Sequence, residues 1–174
     1  NGLYNVSIEE VQGELTDHYD PRSKTVRLST NIYHGHSMAA AAVAAHEVGH
    51  AIQDAEEYGF LKFRTALVPL ASFGSNISFY LIFAGIIFSM ANLLLFGIVF
   101  MAFAVLFQLV TLPVEFNASS RAMDQLVMQG MIVNNEERET KKVLDAAALT
   151  YVAAALVAVL ELARFILIFL ANRD

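Results

Sequence analysis

Thr65–Val114 reads TALVPLASFGSNISFYLIFAGIIFSMANLLLFGIVFMAFAVLFQLVTLPV, fifty consecutive positions without a charged side chain. As one helix it would extend about 75 Å at the usual rise per residue. That is more than twice the roughly 30 Å hydrocarbon core of a bilayer. The stretch must therefore turn back on itself. Ser89-Met90-Ala91-Asn92 is its most polar interruption, which predicts spans near 68–88 and 93–112 joined as a hairpin. Ser72, Gly74, Ser75, Asn76 and Ser78 make the first span polar at its start. Small and hydroxyl residues of this kind mark helix–helix contacts in membranes, or they line a wet cleft.

The whole chain carries the same bias. Hydrophobic residues make up 56% and charged residues 16% of 174, against about 25% charged in an average soluble domain. A further, nearly apolar run predicts a third span near 148–170. It contains Glu161 and Arg164, three apart and so neighbours on one helix face. Ionisable groups at such depth face protein or water. An intrahelical ion pair is the first reading of these two, and a role in a cleft the second.

Upstream of the spans the pattern changes. Val6, Ile8 and Val11 in a polar context predict a short strand. Glu14–Tyr19 and Thr25–Ser29 flank the turn signal Asp20-Pro21-Arg22-Ser23 and predict a hairpin, with Val26 and Leu28 on a single buried face. A helix follows from about Ser37 to Glu57, with Ser37 placed to cap it. The residues before His46 are nearly all alanine or valine, which favours helix and close packing. Beyond the second span, Glu115–Gln129 has helical spacing, and Val133–Lys142 is polar enough to cross a loop. The fold class is therefore a mainly α membrane protein. It has a small N-terminal hairpin and sheet, a transmembrane hairpin and one further span, in a single domain over residues 1–174.

Charge excludes some functions and orients the chain. A net charge of −6 leaves no footprint for nucleic acid. The absence of cysteine excludes disulfides and thiolate metal sites. Arg22, Lys24, Arg27, Lys62 and Arg64 precede the first span, and Arg121, Arg138, Lys141 and Lys142 follow the second. Arg164 lies within the third span and Arg173 after it. Two spans separate the first two groups, so they share one side, which the excess of basic residues marks as cytoplasmic. The chain opens at Asn1 with no signal peptide in view, so a processed or truncated N-terminus is expected.

His46-Glu47-Val48-Gly49-His50 falls within the predicted helix. Histidines four apart stack on one face and can reach one ion. Imidazole suits zinc, whose catalytic sites keep one coordination position open. Glu47, beside that face, can take a proton from attacking water and pass it to a leaving amine. The plain alternative is a chance match on a buried helix. A third ligand is needed, and Ala51–Glu56 supplies no third histidine at metzincin spacing. Glu115 is the best placed carboxylate, because two spans return it to the side of His50. A glutamate favoured by a helix start is the plain alternative, and Glu56 and Asp124 are lesser rivals. His18, His34 and His36 fall in the hairpin and the following loop; His34 and His36 could bind metal as a pair, but loop histidines are usually just solvated. Tyr151 is an oxyanion-donor candidate, or an interfacial aromatic.

The segments Asp17–Arg22, Ala44–Gln53, Leu112–Ser119 and Ala148–Tyr151 resemble the YugP-type neutral zinc metallopeptidases along essentially the whole chain. The hairpin and Glu115-Phe116-Asn117-Ala118-Ser119 resemble, more distantly, the HtpX-like and CAAX-prenyl membrane gluzincins. In those, the ligand glutamate opens an E-x-x-A-D segment. Here Ser119 stands where that pattern has aspartate. The resemblance implies a bacterial inner-membrane protein whose full form carries another N-terminal span. The expectation is thus a multi-pass zinc endopeptidase. Its zinc is held by His46, His50 and Glu115, its base is Glu47, and it acts on membrane-associated protein or peptide substrates from the cytoplasmic side. The hairpin of residues 14–29 could offer an edge strand to an extended substrate. A non-catalytic zinc-binding scaffold and a regulatory partner of a larger protease are the other classes. Substrate identity and oligomeric state are beyond the sequence.

Overall fold

A computed structural model describes residues 2–171; Asn1 and Arg173 lie outside the described residues. Three strands, β1 (Ser7–Val11), β2 (His18–Asp20) and β3 (Thr25–Ser29), precede five helices. These are α1 (Thr30–Tyr33), α2 (Met38–Ala55), α3 (Gly59–Ile87), α4 (Ala91–Met128) and α5 (Asn134–Ala171). Contacts divide the chain into two compact units. One comprises Asn1–Leu61 and Pro113–Leu149, the other Lys62–Leu112 and Thr150–Asp174.

In the first unit the sheet order is β1-β3-β2. β2 and β3 form the expected antiparallel hairpin, and β1 pairs with β3 in parallel. β3 is therefore central. Thr25, Val26, Leu28 and Ser29 are all buried, so both of its faces are covered rather than the one expected from its alternation. The polar residues on the second face are satisfied locally. Thr25 and Ser7 hydroxyls lie 2.9 Å apart, and the Ser29 N–H and hydroxyl donate to the Asp17 carboxylate at 2.7 and 3.0 Å. The other face packs Val26 and Leu28 against Ala51 of α2. The Tyr19 hydroxyl donates to Asp54 at 2.8 Å and pins β2 to the end of α2.

α2 starts where expected, with the Ser37 side chain accepting from the Ala40 N–H at 3.1 Å. Its small residues permit close packing, as Ala42 joins Ala122 of α4 and Leu144 of α5 in a buried cluster.

α3, α4 and α5 are each long and apolar enough to cross a membrane. In the second unit α3 and α4 are antiparallel neighbours around the turn at 88–90. A Cβ on Gly85 would lie 2.6 Å from the Leu94 nitrogen, so glycine sets the closeness of that approach. Ile82, Leu94 and Ile98 form the core there, with Leu162 and Phe165 of α5 against it. Ser78 is buried, while Ser72 and Ser75 line a small cleft with Ala104 and Gln108. On α5 the Arg164 guanidinium lies 2.7 Å from the Glu161 carboxylate.

All three long helices exceed their expected spans, α3 by starting at Gly59. α4 continues through Pro113 to Met128 without a break, and α5 begins at Asn134, so the expected loop ends before it. Proline removes one backbone donor, which a long apolar helix tolerates when neighbouring groups adjust. Glu115 thus rides on the same helix as the second span, about 36 Å of helical rise beyond Ala91.

Candidate metal centre

α2 and α4, both in the first unit here, bring three ligand-type side chains together. The available atoms of His46, His50 and Glu115 all lie within 4.8 Å of one another. Nε2 of His46 is 3.1 Å and Nε2 of His50 is 3.6 Å from the same oxygen, Oε2 of Glu115. The imidazoles meet edge to face with centroids 4.8 Å apart, as expected for residues one helical turn apart. Glu115 is 1% exposed. A carboxylate so deeply buried requires a cationic or hydrogen-bonding partner.

Gly49 makes the approach possible. A Cβ there would stand 2.5 Å from the main-chain oxygen of Ala118. Glycine between the two histidines therefore lets α2 lie against α4 one turn beyond Glu115.

The far side of each imidazole is also engaged. Nδ1 of His46 lies 3.2 Å from the Ser119 hydroxyl, so a neutral group occupies the place where the resembling families carry aspartate. Nδ1 of His50 lies 3.0 Å from Oε1 of Gln53. With both Nδ1 atoms so occupied, both Nε2 atoms face Glu115. Two imidazoles, each supported from behind, and a carboxylate form a donor set suited to zinc.

Glu47 is buried on the same helix. Burial pushes its carboxyl above the usual range, and His50 and His46 only partly oppose this. Burial disfavours a charged His50, but Glu115 and Glu47 outweigh it and leave the imidazole more basic than usual.

The other candidates lie elsewhere. Glu56 pairs with Arg121 at 2.7 Å, and Asp124 is exposed. His34 is exposed and faces Glu10 at 3.3 Å, His18 contacts the Thr16 carbonyl, and His36 is exposed. Among the described residues no group other than His46, His50 and Glu115 gathers three such ligands. Tyr151 lies on α5 in the second unit. The sequence reading missed Gln53, Asn117 and Arg121. The available signals were the spacing of Gln53 three residues after His50 and of Arg121 four residues after Asn117.

Residues 1–170 match the family described as "Putative neutral zinc metallopeptidase". The chain belongs to that family. It is also 54% identical, over 174 residues, to "Putative membrane protease YugP" of Bacillus subtilis (strain 168), covering 100% of this chain and 77% of that protein. No solved structure matches.

Proposed function

We propose that this protein is a zinc-dependent membrane endopeptidase that hydrolyses peptide bonds of membrane or membrane-proximal proteins, with residues 1–174 acting as one domain. The observation that carries this reading is the convergence of His46, His50 and Glu115 beside the buried Glu47. A site that only held metal for structure would not need Glu47.

In this reading His46, His50 and Glu115 hold the ion. When bound, zinc supplies Lewis acidity toward water and toward the scissile carbonyl. Glu47 takes one proton from the water that attacks the carbonyl carbon. It returns that proton to the amine nitrogen as the C–N bond breaks, leaving a free amine and a carboxylic acid, whose remaining proton (the second from the water) passes to solvent. Burial suits Glu47 to this exchange, because a raised carboxyl pKa makes it a better base.

The outer strands of the sheet, β1 and β2, are the places where an extended peptide could add. Of the hairpin, only β2 has an outer edge, since β3 is paired on both sides. The basic residues before α3 and after residue 120 support a cytoplasmic site in a bacterial inner membrane.

The test is cleavage of an unfolded protein by the purified protein in detergent. Activity should disappear with a chelator and return with zinc. A protein that holds one zinc per chain yet cleaves neither unfolded nor membrane substrates would favour the scaffold reading.

A further inference from the structure

A buried glutamine amide has one end that accepts and one that donates, and only its partners decide which way it points. Gln53 has no exposed surface, and its partners form a chain whose direction is fixed from the far end. The chain starts at Arg121, whose guanidinium can only donate. Arg121 Nε donates to Oδ1 of Asn117 at 2.8 Å, and its Nη2 lies 2.7 Å from Glu56. Asn117 must therefore turn its oxygen, not its nitrogen, toward Arg121.

The same oxygen accepts from Nε2 of Gln53 at 2.9 Å. The Gln53 amide also donates to the Val114 carbonyl at 2.8 Å, a second group that can only accept. Both constraints point the NH₂ end of Gln53 toward α4 and leave its oxygen 3.0 Å from Nδ1 of His50. A carbonyl oxygen cannot donate, so Nδ1 of His50 carries the hydrogen. In a neutral imidazole the lone pair then sits on Nε2, the atom that faces Glu115. The Ser119 hydroxyl beside His46 can donate or accept, so it imposes no such direction on that ring.

We propose that Gln53 is a positioning residue that holds His50 in its metal-ligating tautomer, its polarity set by the Val114 carbonyl and, through Asn117, by Arg121. This rests on the reading of His50 as a metal ligand. Gln53 also fixes geometry, because its bond to Val114 grips α4 one residue before Glu115. The chain joins residues far apart in sequence into one support for the ligand set.

The experiment measures zinc dissociation constants by chelator competition in detergent-purified protein, with folding followed by thermal unfolding. Gln53→Met should weaken zinc binding by about 10–100-fold, the usual range for losing a group that orients a metal-ligating histidine. Arg121→Met removes the obligate donor at a distance and should weaken binding less, by about threefold or more. Glu56→Gln, which leaves Arg121 facing Asn117, should leave the constant nearly unchanged. In zinc-loaded parent, ¹⁵N spectra should show a protonated Nδ1 on His50, and Arg121→Met should broaden or split that signal. A merely structural Gln53 would lower the melting temperature and leave zinc affinity and tautomer as they are. Parental affinity in folded Gln53→Met would overturn the proposal. If that variant does not fold, an unprotonated Nδ1 on His50 in the zinc-loaded parent would overturn it. A parent that binds no zinc sinks the metal reading and this proposal together; a zinc-binding parent with unaffected variants sinks this proposal alone.

Discussion

Oε2 of Glu115 lies 3.1 Å from Nε2 of His46, although 69 positions of sequence separate the two residues. The intervening chain runs out along one apolar helix and back along another. α4 thus brings the carboxylate against the histidine helix α2.

That contact predicts the metal content. The parent should carry one zinc per chain, with His46, His50 and Glu115 at about 2.0–2.2 Å from it. His46→Ala and Glu115→Ala should both lose the ion and all activity. Elemental analysis of the purified variants checks this, and a zinc-replete Glu115→Ala would remove Glu115 from the ligand set.

Gly49→Ala should damage both the fold and the site, though it touches no metal. The added carbon meets main-chain atoms of Ala118 at 2.5–3.2 Å, and backbone cannot step aside cheaply. A cost of about 1–3 kcal/mol is expected for such overpacking, together with weaker zinc binding as α2 moves away from α4. Thermal unfolding and a zinc titration give the two numbers. A variant as stable as the parent, with unchanged affinity, would show that the close approach is dispensable.

The hairpin supplies a pH test. The Asp20 carboxylate accepts from the Ser23 hydroxyl, Arg27 and the Arg22 N–H, and these bonds hold its pKa well below the usual carboxylate range. The folded value is below the unfolded value of about 3.9. Its contribution is therefore complete above that value and disappears as pH falls through it toward the folded value. Asp20→Asn should speed hydrogen exchange at the β2–β3 amides at pH 7 and have a smaller effect near pH 2, where protonation of the unfolded-state carboxyl has already removed part of the contribution. An equal effect at both pH values would show that the carboxylate charge is not what stabilises the turn.

The reach of the sequence differs from element to element. The start of α2 was legible because Ser37 caps it through a local hydrogen bond. The β2–β3 hairpin was legible because its turn residues are adjacent. The parallel pairing of β1 with β3 was not, since nothing local specifies which strand will lie in the middle. The continuation of α4 through Pro113 was not legible, because proline usually stops a helix and only the context of a long helix accommodates it here. At the site, His46 and His50 were legible from spacing alone. Glu115 followed from counting spans. Gln53, Asn117 and Arg121 were not legible, because their meaning lies in contacts between α2 and α4, as far as 64 positions apart.

Topology can be checked in cells. Cysteines at Ser23, Ser89 and Asn135 should respond differently to an impermeant thiol reagent. Ser89, in the turn between α3 and α4, should be labelled in intact cells, and Ser23 and Asn135 should be protected. Labelling at Ser23 with protection at Ser89 would invert the orientation and move the site to the outer face.

The central claim is that Glu47 works as a base beside a bound metal, and Glu47→Gln tests it most directly. The substitution keeps the size of the side chain and removes the proton acceptor, without taking a ligand from the ion. Zinc content and thermal stability should match the parent, while cleavage of an unfolded or membrane substrate falls by at least about a hundredfold. A Glu47→Gln protein that holds its zinc and cleaves at the parental rate would contradict the mechanism.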